Sequence, residues 1–201
     1  MKSKLTTIIF CFLFAFANAQ TSADLDINNI KARINSGGDL FWDFNSAKFE
    51  APKGSGINSI FAGNLWIAGV DAGNQVHAAC QTYRQNGVDF WPGPMDTINV
   101  SCPSAVYSSP TWNRVWKVNK TTVDSFVLGL FGTNIPLSIS SWPGNGDANY
   151  NQAKKLAPFY DVNNDGIYNP TQGDYPLIQG DQAIYFIYND VASGHGETGL
   201  S

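Results

Sequence analysis

Residues 61–70 (FAGNLWIAGV) and 75–84 (QVHAACQTYR) are two apolar stretches joined by the sequence DAGN at 71–74. In the first stretch Leu65 and Ile67 lie two residues apart, which is the spacing of side chains on one face of a strand. Asp, Gly and Asn are typical of tight turns. The pattern therefore predicts a β-hairpin whose two arms are these stretches.

Two further stretches resemble strands. Residues 114–118 (RVWKV) and 183–188 (AIYFIY) are rich in β-branched and aromatic side chains, which favour strands. The density of Gly, Pro and Asn interrupts most segments that would otherwise sustain a helical period. We therefore expect a mainly β fold, a β-sandwich-like domain with short helical insertions.

The helical insertions are predicted in two places. Residues 121–130 (TTVDSFVLGL) predict one short helix with Thr121 or Thr122 as its N-cap. Residues 136–141 predict a second helical turn. Because no low-complexity linker divides the chain, residues 20–201 are expected to form a single β-rich domain.

The composition narrows the classes of function. The 201 residues are 14% charged and 13% aromatic, which suits a chain with a packed core rather than a disordered one. The formal net charge of −4 disfavours a nucleic-acid partner, because that affinity depends on Lys and Arg neutralising phosphates.

Residues 192–201 (ASGHGETGLS) are small and polar directly after a predicted strand. We therefore expect the chain to be the N-terminal fragment of a larger protein, truncated at its C-terminus.

The first nineteen residues resemble a secretory signal peptide. Lys2 and Lys4 precede residues 5–17 (LTTIIFCFLFAFA), an apolar stretch too short to span a bilayer as a helix. The small residues of ANA at 17–19 predict cleavage before Gln20. We expect the mature protein to be secreted or at the cell surface, with no transmembrane segment.

Export changes the interpretation of the cysteines. The mature chain would keep Cys80 and Cys102, an even number in an oxidising compartment. This predicts a Cys80–Cys102 disulfide, and the alternative is a pair of buried thiols.

The sequence DVNNDGIYN at 161–169 is the strongest chemical signal, and it lies in a polar segment that extends over about 147–181. Asp161, Asn163 and Asp165 place side-chain oxygens at alternate positions, and a glycine follows at the sixth position. Such spacing lets a tightly wound loop direct its oxygens at a hard cation, while the glycine permits the bend. We therefore predict a Ca²⁺ site.

The rest of this loop departs from the usual calcium pattern. The Ile167 carbonyl falls at the seventh position and Asn169 at the ninth, but the twelfth position holds Gln172 instead of a bidentate Glu. Asp174, two residues later, is the carboxylate expected to complete the site. Weak binding, with a Kd of about 10⁻⁴ to 10⁻³ M, is therefore expected. The alternative is an Asn/Asp turn whose side chains bind their own backbone.

Catalytic signals are sparse. His77 and His195 are the only histidines, and neither a G-x-S-x-G nor an H-E-x-x-H pattern occurs. His77 lies in a predicted strand, and His195 lies in a Gly-rich stretch beside Glu197 that predicts a flexible loop. The count of Asp and Glu leaves a glycosidase carboxylate pair open, but no spacing selects one.

Several stretches together resemble a known class of proteins. They are NNIKARI at 28–34, GGDLFWD at 37–43, SIFAGNLWIAG at 59–69, and LAPF at 156–159 leading through the loop to GDYP at 173–176. These resemble the N-terminal region of large secreted Bacteroidetes proteins that carry a C-terminal type IX secretion sorting domain. Residues 161–169 are also similar to the calcium repeats of dockerin and thrombospondin type.

Two functions are consistent with these features. The first is a non-catalytic, calcium-stabilised module of a secreted or cell-surface protein, acting in adhesion or matrix contact, with a polysaccharide or a cell-surface protein as its partner. The second is a secreted carbohydrate-binding or carbohydrate-degrading protein that uses exposed aromatic rings or an Asp/Glu pair. Whether the protein is an enzyme stays open at this point, and we favour the first function.

Overall fold

The computed structural model describes residues 21–199. The predicted signal peptide at 1–19 and its cleavage site lie outside these residues. Within them the chain forms twelve short strands, three short α-helices and two 3₁₀ turns. The strands are β1 (Ser22–Leu25), β2 (Lys31–Asn35), β3 (Phe49–Glu50), β4 (Asn58–Ile60), β5 (Trp66–Val70), β6 (Val76–Cys80), β7 (Trp91–Pro92), β8 (Trp116–Asn119), β9 (Phe159–Tyr160), β10 (Tyr175–Pro176), β11 (Gln182–Tyr185) and β12 (Tyr188–Asn189). The helices are α1 (Ser104–Tyr107), α2 (Lys120–Val127) and α3 (Leu137–Ser140), and the 3₁₀ turns are Ala148–Tyr150 and Pro170–Gln172.

The strands belong to five small antiparallel sheets. One sheet has four strands in the order β1-β2-β3-β4, and the other four are the pairs β5-β6, β7-β12, β8-β11 and β9-β10. The prediction of a mainly β fold is confirmed. The sandwich arrangement is not confirmed, because the strands are divided among these small sheets.

The β-hairpin predicted from residues 61–70 and 75–84 is present. Strands β5 and β6 pair in register from Trp66 opposite Cys80 to Val70 opposite Val76. In the turn, the Asp71 N–H donates to the Gln75 carbonyl at 3.0 Å, and the Gln75 N–H donates to the Asp71 carboxylate at 2.8 Å. The turn is therefore closed by local bonds that its own sequence supplies.

Helices α2 and α3 lie near the two predicted positions, whereas α1 was not predicted, and the predicted cap of α2 is wrong. The N-cap is Asn119 rather than a threonine, and Asn119 makes no side-chain capping bond. Its backbone is still part of β8, and its side-chain oxygen accepts from Gln182 at 2.7 Å. The strand therefore continues directly into the helix. Thr121 and Thr122 are already helical, so neither has the extended backbone of an N-cap residue. No helix in the described part of the chain has the length and hydropathy of a membrane span.

The β8-β11 pair lies between two clusters of buried side chains. Ala183, Tyr185 and Ile187 pack on the larger cluster, whereas Ile184 and Phe186 pack on the smaller one. This alternation is what a strand with apolar contacts on both faces requires. The larger cluster consists of Cys102, Val106, Trp112, Trp116, Val118, Val123, Trp142 and Ala157, and the smaller one of Ala23, Ile34 and Val115.

The structure does not contain the predicted disulfide. Cys80 and Cys102 are both free thiols. Cys80 is half-buried at the end of the β5-β6 hairpin, whereas Cys102 is buried inside the larger cluster. Burial raises the pKa of Cys102. The even cysteine count suggested a bond, but the fold leaves both side chains as thiols, Cys80 at the end of β6 and Cys102 within the larger cluster.

Candidate functional site

The predicted calcium loop leaves the β9 strand and returns through a 3₁₀ turn to β10. At its base Tyr160 pairs with Tyr175, and their rings stack with centroids 5.0 Å apart and 15° between planes. The two short strands thus bring together the ends of a loop that has little secondary structure of its own.

Three of the predicted ligands lie together in this loop. The Asp161 carboxylate accepts from the backbone N–H of Gly166 at 2.7 Å and of Asp165 at 3.3 Å. The Asn163 side chain accepts from the Asp165 N–H at 3.2 Å and donates to the Asp165 carboxylate at 2.8 Å. Gly166 supplies the bend with a φ of 79°, in the region that favours glycine. Asp161, Asn163 and Asp165 are therefore neighbours, as the alternate spacing predicted.

Ile167 lies at the end of this group. Its backbone N–H donates to the Asp165 carboxylate at 2.8 Å, and its side chain is exposed. The loop is thus turned back on itself by bonds of the kind that an Asn/Asp turn makes.

Asp174 differs from the other predicted ligands. Its side chain is fully buried, and each carboxylate oxygen accepts one backbone N–H, from Val162 at 2.9 Å and from Asn169 at 2.8 Å. These two donors belong to opposite ends of the loop. Asp174 therefore fastens the loop base, a role that was not predicted from the sequence.

The loop is also attached to the core. Asn145 accepts from the Tyr168 N–H at 2.6 Å and donates to the Gly166 carbonyl at 2.9 Å. The Tyr168 hydroxyl donates to the Ile139 carbonyl at 2.7 Å, and burial together with the Asp174 charge raises the pKa of this tyrosine. The loop is therefore hydrogen-bonded to the backbone of the buried residue Ile139.

The loop retains oxygen lone pairs for an ion. A carboxylate offers about four lone-pair positions, and Asp161 uses only two of them on the N–H groups described above. Among residues 21–199, however, no group of three or more His, Cys, Asp or Glu side chains is arranged to hold a metal. Two carboxylates and one amide come together here. An ion at this position would therefore depend on amide, backbone and water oxygens as well.

The acid–base residues singled out in the sequence are held in structural contacts. The two ring nitrogens of His195 lie 2.6 Å from the Ala78 carbonyl oxygen and 2.8 Å from the Asp190 carbonyl oxygen. Glu197 accepts from the Thr82 hydroxyl and from the Asn86 N–H, and these hydrogen bonds lower its pKa.

Asp89 was not identified from the sequence, although it organises this region. It is fully buried and accepts from the N–H groups of Cys80 and Glu197, at 3.0 and 2.8 Å, and from the Thr198 hydroxyl at 2.8 Å. The Gly-rich segment that predicted a flexible loop is thus bonded to β6. Glu197 and Thr198 are more than a hundred positions from Asp89, so no local pattern reveals these contacts.

A second surface carries exposed aromatic rings. We call Phe44, Phe61, Trp66 and Tyr83, each about half exposed or more, the aromatic surface. Buried Trp42 supports it, with ring centroids 5.2 Å from Phe44, 6.2 Å from Phe61 and 5.8 Å from Tyr83. The Trp66 indole N–H donates to the Gln81 carbonyl at 2.9 Å. This surface adjoins a depression of about 380 Å³.

No protein family model, no curated protein and no solved structure matches this chain. The resemblance to secreted Bacteroidetes proteins and to dockerin-type repeats therefore stays an expectation from the sequence. The functional interpretation depends on the geometry described above.

Proposed function

We propose that this protein is a non-catalytic, calcium-stabilised module of a secreted or cell-surface protein, acting in adhesion or matrix contact. The observation that carries the proposal is the grouping of Asp161, Asn163 and Asp165 in a loop whose base is fastened by Asp174. Its partner would be a polysaccharide or a cell-surface protein.

Electrostatics supports a cation in this loop. Two carboxylates held close together repel each other, and a divalent cation removes that repulsion. Because the loop ends are already fixed, binding the ion orders few additional residues. Asn145 and Tyr168 connect the loop to the core, so an ion held there would stabilise the folded state as a whole.

The contacts of the acid–base residues favour a non-catalytic role. His195 and Glu197 are engaged with backbone and hydroxyl groups. His77 is half-exposed, and its ring Nε2 lies 3.2 Å from the carboxylate of Asp71 in the hairpin turn. Each of these three side chains is therefore held by a contact with another residue of the fold.

Thermal melts in EDTA and in calcium test the proposal. At calcium tenfold above Kd, binding to the folded state alone adds about 1.4 kcal/mol to the free energy of unfolding. For a chain of this size that raises Tm by roughly 3–6 °C. We expect Asp165→Asn to remove this gain, because it takes away one of the two grouped charges.

Asp96→Asn is the matched control. Asp96 also caps a turn, accepting from the N–H groups of Ile98 and Asn99 at 2.8 and 2.9 Å, but it lies outside the loop. This variant loses the same charge and should keep the calcium-dependent rise in Tm. Identical melting temperatures for the wild-type protein in EDTA and in about 10 mM calcium would contradict the proposal and leave an Asn/Asp turn.

The aromatic surface favours the second candidate, a secreted carbohydrate-binding or carbohydrate-degrading protein. Aromatic rings exposed side by side offer apolar faces on which sugar rings pack. A pull-down with insoluble polysaccharides tests it, with Trp66→Ala expected to lose retention. Leu128→Ala removes an equally exposed apolar side chain elsewhere and should be retained like the wild type.

A further inference from the structure

A cleft of about 630 Å³ lies beside the larger cluster, within the size range of small-molecule sites. Its lining includes residues 109–112, the end of α3 and residues 145–147. Trp112, Trp116 and Trp142, almost fully buried members of the larger cluster, line the cleft. The cleft is therefore built against the larger of the two buried clusters.

Arg114 in this cleft differs from the other two arginines of the chain. Arg33 is paired with Asp24, and Arg84 is paired with Asp39. Arg114 forms no ion pair with a carboxylate of residues 21–199. Among the three arginines, Arg114 is thus the one that lies at the cleft with no ion pair to the described residues.

The remaining contacts of Arg114 leave its guanidinium available. Its Nη2 donates to the Ser141 hydroxyl at 3.3 Å, and its Cζ lies 5.3 Å from the centroid of the Trp116 ring. Its Nε is buried and makes no hydrogen bond within the described chain. A buried charged group short of acceptors is unfavourable, and an anion bound at the Nη atoms of this guanidinium would offset that cost. The ring contact also holds the planar guanidinium in one orientation, which suits bidentate recognition of a carboxylate.

The other polar groups of the cleft are suited to hydroxyls. Ser109 and Thr111 supply hydroxyl groups, and Asp147 supplies a carboxylate that accepts from the Asn149 N–H through one oxygen at 2.8 Å. A ligand with only an anionic group would meet repulsion from Asp147. A ligand that combines one carboxylate with several hydroxyls on an apolar ring satisfies Arg114, Asp147 and the indoles together.

We propose that this cleft binds a uronic acid unit of an acidic polysaccharide, with the sugar carboxylate on Arg114 and sugar hydroxyls on Asp147. This names a partner class for the matrix contact proposed above, at a site separate from the calcium loop and from the aromatic surface. The net negative charge of the protein opposes long-range attraction of such a polymer, so the interaction is short-range and modest in affinity.

Titration calorimetry with a short galacturonate oligomer, in EDTA, tests the proposal. The ligand control is the same oligomer with its carboxylates methyl-esterified, which keeps the sugar and removes the charge. We expect saturable binding of the acid and binding about tenfold or more weaker for the ester, because a charged hydrogen-bond pair is lost. Arg114→Gln should weaken binding of the acid to the same degree. Lys120→Gln removes one positive charge from the exposed face of α2 and should leave the affinity unchanged.

Three results would overturn the proposal: no saturable binding at about 10 mM of the acid, equal affinity for acid and ester, or an unaltered affinity in Arg114→Gln. The ester comparison uses wild-type protein, so it is informative even where Arg114→Gln does not fold. Because EDTA is present throughout, failure of the calcium site does not affect the outcome, and a failure here leaves the calcium melts to be judged separately.

Discussion

A substitution at Asp174 distinguishes two roles of its carboxylate: a ligand of the metal ion, or the group that fastens the base of the 161–169 loop. As a metal ligand, Asp174 would matter only when calcium is present. As the residue that fastens the loop base through Val162 and Asn169, it matters without any ion. Asp174→Asn replaces one acceptor oxygen by an NH₂ group of nearly the same size, so it changes hydrogen bonding with little change in volume.

The hydrogen bonds of Asp174 determine how far Asp174→Asn should lower the free energy of unfolding. One of two hydrogen bonds to a charged acceptor is lost, at about 1.5–3 kcal/mol, and the new NH₂ group faces a buried backbone N–H that is left without an acceptor. The side chain is fully buried, so water does not replace the lost bond. We expect Asp174→Asn to lower the free energy of unfolding by about 2–4 kcal/mol. The corresponding fall in Tm is roughly 5–15 °C.

Urea unfolding and thermal melts, each in EDTA and in calcium, measure this effect. The expected result is a similar loss in both conditions. Asp161→Asn is the comparison, since Asp161 is a predicted ligand that lies partly exposed in the loop. An Asp174→Asn protein as stable as the wild type in EDTA, yet without the calcium-dependent gain, would refute the fastening role and restore Asp174 as a ligand.

Two buried or partly buried ion pairs yield further predictions. Arg84→Gln should lower the free energy of unfolding by about 3–5 kcal/mol in urea, because it leaves the fully buried Asp39 carboxylate without its cation, and an unchanged urea midpoint would contradict this. The pKa of Asp24 is lowered: burial acts to raise it, but the hydrogen bonds and charges of Arg33 and Lys31 outweigh burial. A lowered folded-state pKa means that this stabilisation is present above the unfolded value of about 3.9 and is lost as pH falls through the folded value. The urea midpoint should therefore fall more between pH 7 and pH 3 in the wild type than in Asp24→Asn, and equal falls would refute the contribution of this pair.

Local chemistry made part of this fold predictable. The DAGN turn forms from bonds between residues a few positions apart, and the flanking stretches needed only each other to pair as β5 and β6. The same is true of α3 and of the grouping of Asp161, Asn163 and Asp165, because in each case the interacting groups are within five positions. The mainly β class follows from the residue types alone.

Long-range packing decided the rest. Asp89 meets Thr198 across 109 positions, and nothing in either neighbourhood indicates the other. The cysteines show the same dependence on the fold. Their even number predicted a disulfide, but in the folded chain both are free thiols. The sequence by itself determined the hairpin, the helices α2 and α3 and the oxygen-rich loop, because hydrogen bonds between near neighbours depend only on local residue order. The tertiary structure alone decided that Asp174 would fasten that loop and that Arg114 would lie at the cleft with no ion pair to a carboxylate of the described residues. Which charges are buried, and which are paired, depends on segments that meet only when the chain folds.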